Sequence, residues 1–325
     1  KVLEAKQSGR LANIDLILPV IELRLDKFGG SKTKLSRVNF HVIFSDKISP
    51  EVIEEQFIAG LRTEYRISPQ YSELEGKWNG RITKNSLAKL GRLIIDSVPP
   101  ERRAEFGIPL IEGFNNINFN LKGIEEALNN HYFKEKYITA VGKTEWADIK
   151  WNDHSIAEKK NIINTAQLVF ISSQSVKDYH KAKKSLTHSR VNDRLLDCSD
   201  AHHFSDSQEK DRIGNCFTWI KADPTFEGLK QVLVEFDQRV CVGEIPKKVK
   251  IVENNKTKYI DSVEIRKKEK STLEEVWFDN HIEFNHDLVA IIGNKGSGKS
   301  ALVDIVGLLG NSHPDKYSFL NREKF

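Results

Sequence analysis

The sequence predicts an α/β protein of two domains, and three observations predict it. From residue 137 onward, short apolar strands alternate with helical segments at the spacing of βα units. Further on, Gly293-Asn294-Lys295-Gly296-Ser297-Gly298-Lys299-Ser300 matches the phosphate-loop pattern G-x-x-x-x-G-K-[ST], set between an apolar run and a helical one. At 325 residues the chain is long enough to bury two hydrophobic cores.

The elements follow in order. Residues 14–25 form an apolar run interrupted by Pro19, and residues 38–44 form a second; both read as buried strands. Gly29-Gly30 and the stretch 46–50 break the chain around the second. Val52, Ile53, Phe57 and Leu61 recur at helical spacing, which gives a helix over 50–61. Residues 65–83 are polar and turn-rich, a surface excursion. Leu87, Leu90, Ile94 and Ile95 mark one face of a helix over 86–98. The regular part comes next, with strands over 137–142, 168–172 and 194–198 and helices over 155–166, 176–186 and 226–236. In parallel βα architecture, chemistry collects on loops at the carboxyl ends of the strands.

Composition narrows the class. Hydrophobic residues at 39% and charged residues at 30% describe a globular protein. No apolar run approaches the ~18–20 residues of a membrane span, so no membrane partner is expected. The net charge of +4 is too small to argue for nucleic acid by itself. Residues 245–270, with nine Lys or Arg against four Asp or Glu, mark a change of composition. The expected domains are 1–243 and 258–325, with 244–257 as linker. Cys198, Cys216 and Cys241 include no C-x-x-C pair, which fits reduced thiols and a cytoplasmic location. The chain opens on Lys1, holds no methionine and ends 25 residues after Ser300, so a longer parent protein is expected.

The phosphate loop carries the most specific chemistry. Its glycines let backbone N–H groups approach phosphate oxygens, and the helix N-terminus that follows favours their charge. Residues Gly293 to Ala301 are therefore expected to bind ATP with Mg²⁺, Lys299 reaching the β/γ-phosphates and Ser300 ligating the metal.

A second constellation is acidic and imidazole. The pattern D-x-H occurs three times. Asp178 and His180 lie in a predicted helix, where i and i+2 face apart. Asp279 and His281 lie at a turn. Asp200 and His202 follow Leu195-Leu196 at a strand's carboxyl end, where both side chains can enter a pocket. Glu22 and His41 sit inside apolar strands. A carboxylate there is costly unless paired or metal-bound. The plainer readings are an ion pair of Glu22 with Arg24 and a hydrogen-bonded core histidine at position 41.

The order Glu22, His41, Asp200-x-His202, in "PVIELRL", "NFHVIF" and "LLDCSDAHHFSD", resembles the PHP (polymerase and histidinol phosphatase) family over about residues 10–240. That resemblance implies a PHP-like (β/α) barrel in which Glu22, His41, Asp200 and His202, on successive βα units, hold two or three divalent ions. Zn, Mn or Fe suits such mixed ligands. The family's opening His-x-His is absent, and "YITAVGKTE" stands where the family has Ala-His-Pro; Glu145 is then a candidate ligand and Lys143 a candidate phosphate contact. His203 is a candidate for positioning substrate.

The strand pair before "LVAIIGNKGSGKSALVDIVGLLG" makes residues 258–310 resemble the first part of an ABC-type ATPase head of the chromosome-maintenance kind. Its carboxylate-bearing strand and signature loop do not occur in these residues. Joined, the two halves resemble the TrlF-type PHP–ATPase proteins, a class associated with anti-phage defence. The resemblance implies an ATP-regulated, metal-dependent nuclease that forms homo-oligomers through its heads and acts on nucleic acid. Rival readings are a small-molecule phosphatase, a nucleotide-gated scaffold with a non-catalytic PHP site, and a P-loop kinase.

Overall fold

Pro19 leads into a long antiparallel hairpin, β1 (Val20–Ser31) and β2 (Lys34–Phe44). The register places Glu22 opposite His41 and Val20 opposite Ile43, with a shift between Arg24 and Phe28. Alternation sorts the side chains: Leu23, Leu25, Val38, Phe40, Val42 and Phe44 are buried on one face. Glu22, Arg24, His41 and Ile43 project from the other. This corrects the expectation that Glu22 and His41 lie on successive βα units. Only two residues separate β1 from β2, too few for the crossover that parallel strands need.

In the computed structural model, the described residues are 2–31, 34–66, 77–142, 156–201, 214–272, 274, 279–312 and 319–320. The chain divides into two compact units, Lys1–Glu244 and Ile245–Phe325.

The first unit opens with α1 (Val2–Gln7) and the hairpin just described. Residues 50–61 are helical as expected in part: α2 (Pro50–Val52) passes into a π-helix over Ile53–Ile58. A second hairpin, β3 (Arg62–Arg66) with β4 (Lys77–Arg81), overlaps the expected surface excursion, and Trp78 of β4 is buried. Then come α3 (Lys84–Asp96), α4 (Pro109–Asn116) and α5 (Leu121–Leu128). The regular stretch follows as β5 (Tyr137–Gly142), α6 (Ile156–Thr165), β6 (Leu168–Ile171), α7 (Val176–His188) and β7 (Leu195–Asp197). A last hairpin, β8 (Thr218–Ile220) with β9 (Val240–Val242), encloses α8 (Phe226–Val234) and α9 (Phe236–Arg239).

The central sheet has the order β1-β2-β5-β6-β7. β5, β6 and β7 are parallel, joined by α6 and α7; β1 and β2 are antiparallel additions at one side. Among the described residues the sheet is open and mixed, without closure into a barrel.

Both faces of the sheet are covered. On one, Val42, Val141, Val169 and Leu195 pack with Ile162 and Ile163 of α6, Tyr179 and Leu186 of α7, and Leu87 and Leu90 of α3. Phe44, Phe57 and Phe133 stack mutually there, with ring centroids 5.3–6.1 Å apart. On the other face, Ile43, Ile138, Ala140, Leu168 and Leu196 meet Phe226, Val232 and Phe236.

In the second unit, α10 (Lys247–Asn254) and a turn of 3₁₀ helix (Lys256–Lys258) occupy most of the stretch expected as linker. β10 (Ser262–Ile265) and β11 (Asn280–Glu283) form an antiparallel pair, and α11 (Lys299–Leu309) follows the phosphate loop. The apolar run 288–292, expected as a strand, is not one. Leu288 is 94% and Ile292 89% exposed, and among the described residues β10 and β11 pair only with each other. A strand needs a neighbouring ladder to satisfy its backbone, and apolar composition alone does not supply one. No helix among the described residues is long and apolar enough to cross a membrane.

Candidate functional site

The candidate centre of the first unit is built on β1 and β2. The register sets Glu22 directly across from His41, and His41 across from Ala140 of β5. Ala140 is fully buried in the core on this face, and the Phe170 ring flanks the imidazole with centroids 5.5 Å apart. Burial holds the His41 pKa below its ordinary value, while the negative charges of Glu22 and Asp200 act in the opposite direction. An imidazole that stays neutral is the form that ligates a metal. Glu22 itself is exposed. Arg24, the plain ion-pair candidate, donates instead to the Asn115 carbonyl at 3.4 Å.

Asp200 arrives from the far end of the sheet, three residues after β7, with a left-handed φ of 51° that non-glycine residues seldom adopt. What fixes its approach is Asp197, which the motif reading passed over. Asp197 is 3% exposed, and its carboxylate accepts from the backbone N–H groups of Ser173 and Phe217, each at 2.9 Å. Its own N–H donates to Thr218 Oγ1, whose hydroxyl donates back to the Asp197 carbonyl. The loop after β6 and the entry to β8 are thereby tied to the end of β7, three residues before Asp200. The signal was present in the sequence: an aspartate that ends an apolar strand needs such partners.

The charges of both Glu22 and Asp200 act on the His41 imidazole, but only Glu22 is its cross-strand partner. Among the described residues, no three potential ligands close on a single position. His202, His203, Lys143 and Glu145 lie outside the described residues. The donor chemistry, two carboxylates and one neutral imidazole, suits a borderline divalent cation. Of the other D-x-H pairs, Asp178 and His180 are exposed on α7 on either side of buried Tyr179, and Asp178 accepts from Ser175 Oγ at 2.7 Å. His281 pairs with Glu264 across β10 and β11.

In the second unit the phosphate loop has the conformation its glycines permit. Gly296 and Gly298 have φ of 84° and 82°, and a side chain at Gly293 would meet Ser297 Oγ at 2.7 Å. Gly298 is the N-cap of α11 and supplies no capping side chain. Helix geometry leaves the N–H groups of Lys299, Ser300 and Ala301 without intrahelical acceptors, the arrangement that receives anions. Lys299 Nζ folds back across the loop and donates to the carbonyls of Gly293 and Asn294 at 2.8 and 2.7 Å. Lys295 and Asn294 are exposed on the outer turn. Behind the loop, buried Asp304 accepts from the N–H groups of Phe319 and Leu320.

Comparison of the chain with protein-family models, with curated proteins and with solved structures found no match.

Proposed function

We propose that the first unit is a metal-dependent phosphoesterase that cleaves phosphodiester bonds in nucleic acid, and that ATP binding in the second unit regulates it. The observation that supports this reading is the pairing of Glu22 with His41 across β1 and β2, with the charge of Asp200, from a distant part of the chain, also acting on the imidazole. Glu22, His41 and Asp200, with His202 and Glu145, would hold the ions. A bound divalent ion supplies an acidified water and positive charge at the phosphate oxygens. The chain's own contributions are distinct. His41, kept neutral by its surroundings, offers a lone pair; Phe170 shields it from water on one side; Asp197 holds the backbone from which Asp200 leaves.

In the second unit, Lys299 would exchange its two carbonyl acceptors for phosphate oxygens, and Ser300 would ligate Mg²⁺. Closure of two such heads around nucleotide would make the protein a homo-oligomer. A cytoplasmic role in anti-phage defence extends from the resemblance to PHP–ATPase proteins.

A second reading, a nucleotide-gated scaffold with a non-catalytic first unit, is favoured by the absence of three converging ligands among the described residues. Hydrolysis of labelled DNA and RNA by the full chain, with Mn²⁺ or Zn²⁺ and with EDTA, separates the two. The enzyme reading expects EDTA-sensitive cleavage that falls at least ~100-fold in His41→Ala and in Asp200→Ala/His202→Ala, with ATP affinity unchanged. Cleavage undiminished in these variants rejects the site, and absence of metal-dependent cleavage in the wild type supports the scaffold.

A further inference from the structure

We infer that the outer face of α7 is a docking surface for a nucleic-acid backbone. The inference deepens the nuclease reading above and rests on it for the identity of the polyanion. The helix reads VKDYHKAKKSLTH. Tyr179, Ala182 and Leu186 are buried in the core on one side. At 100° per residue, Lys177, Lys181, Lys184 and His188 fall on the opposite side in a narrow stripe, with His180 at its edge. All five are exposed. The stripe is about 16 Å long, a length that lies beside roughly ten phosphate charges of a duplex.

Local helix energetics argue against these lysines being an ordinary solvated face. Like charges at i, i+3 and i, i+4 are mutually destabilising, and Lys177 adds a cation to the first turn, where the helix dipole already leaves positive charge. The fourth lysine shows the contrast. Lys183 turns to the side and is neutralised by Asp237 at 3.1 Å and Asp193 at 3.7 Å. Lys177, Lys181 and Lys184 have no ion pair among the described residues. The one acid of the helix, Asp178, lies off the stripe and is engaged with Ser175 Oγ. Asp178 in the first turn and His188 in the last complement the helix dipole, so the cost lies in the repulsion along the stripe itself, which a polyanion would relieve.

Position supports the same partner. β6 and β7 are parallel, so the start of α7 and the departure of Asp200 share one rim of the sheet. The Ser173 N–H bond to Asp197 ties the two loops there. A polyanion lying along the stripe would reach the rim at which Asp200 stands, with the positive end of the helix dipole as its last contact.

The test uses the full chain and labelled single-stranded DNA, single-stranded RNA and duplex DNA, with binding read by anisotropy between about 50 and 200 mM salt. The triple variant Lys177→Ala/Lys181→Ala/Lys184→Ala keeps a strong helix former at each exposed position. It is expected to bind at least ~10-fold more weakly, with the slope of log affinity against log salt reduced by about two to three. The triple Lys→Arg variant is expected to bind as the wild type does. An unchanged salt slope in the alanine variant overturns the inference. So does a wild type that binds no nucleic acid, or one that binds only vesicles containing phosphatidylserine. Cleavage by the wild type with an unaltered KM in the alanine variant removes the surface and leaves the hydrolase standing. Lysine-dependent binding without any cleavage does the reverse.

Discussion

Burial tunes individual side chains in this protein in ways that follow from their partners. Tyr179 is 5% exposed and donates its hydroxyl to the Leu195 carbonyl at 2.8 Å. Burial first, then the negative charges of Asp237, Asp197 and Asp193, push its pKa up to about 12. In the unfolded chain a tyrosine titrates near ~10. The neutral phenol is therefore favoured by folding: its stabilisation is complete below about pH 10 and is lost as pH rises through about 12. Tyr179→Phe is expected to cost about 1–3 kcal/mol at neutral pH by stranding a buried carbonyl, and to flatten the alkaline limb of the stability curve. Urea titrations from neutral pH to about 12 read both effects, and an unaltered limb would refute the assignment. Asp197→Ala is expected to lose about 2–3 kcal/mol, since one buried and one partly buried N–H group lose their acceptor. A melting temperature equal to the wild type's would show that water replaces the carboxylate.

Helix packing between α3 and α4 depends on two glycines. A Cβ at Gly91 would stand 1.7 Å from the Pro109 carbonyl oxygen, and one at Gly113 would stand 1.9 Å from that of Leu87. These are backbone atoms, so relief requires the helices to separate. Gly91→Ala should therefore destabilise the first unit by about 1–3 kcal/mol net of overpacking, despite the ~1 kcal/mol that alanine gains in helix propensity. Thermal unfolding followed by circular dichroism decides, and a rise in melting temperature would mean the contact is loose. Helices of this kind were legible in the sequence. The period of Leu87, Leu90 and Ile94, and that of Tyr179, Ala182 and Leu186, announces one buried face each. Strand direction was not legible. A buried strand such as 38–44 has the same apolar run whether its neighbours are parallel or antiparallel. The π-helical turn at Ile53–Ile58 has no composition signal, and 288–292 has the composition of a strand without its ladder.

At the scale of the whole molecule, the candidates came from the sequence, and the fold pairs two of them. Glu22 and His41 were suspicious individually because a carboxylate and an imidazole interrupt apolar strands, but only the register of β1 on β2 sets them face to face. Asp197 escaped notice because its work is done through backbone N–H groups of residues 24 and 20 positions away. The phosphate-loop pattern is the reverse case, readable from the sequence because it is local to eight consecutive residues. Lys299→Ala is accordingly expected to weaken binding of ATP with Mg²⁺ at least ~10-fold, as the charge-assisted contact to phosphate is lost. Calorimetric titration that finds equal affinity would count against the loop. The central claim is that Glu22, His41 and Asp200 belong to one cation site. Its most direct test is Mn²⁺ titration of the nucleotide-free full chain, with free ion counted by electron paramagnetic resonance. Bound Mn²⁺ that disappears in His41→Ala and in Glu22→Gln, while Lys299→Ala retains it, is the result expected. Equal Mn²⁺ uptake by the wild type, His41→Ala and Glu22→Gln would contradict it.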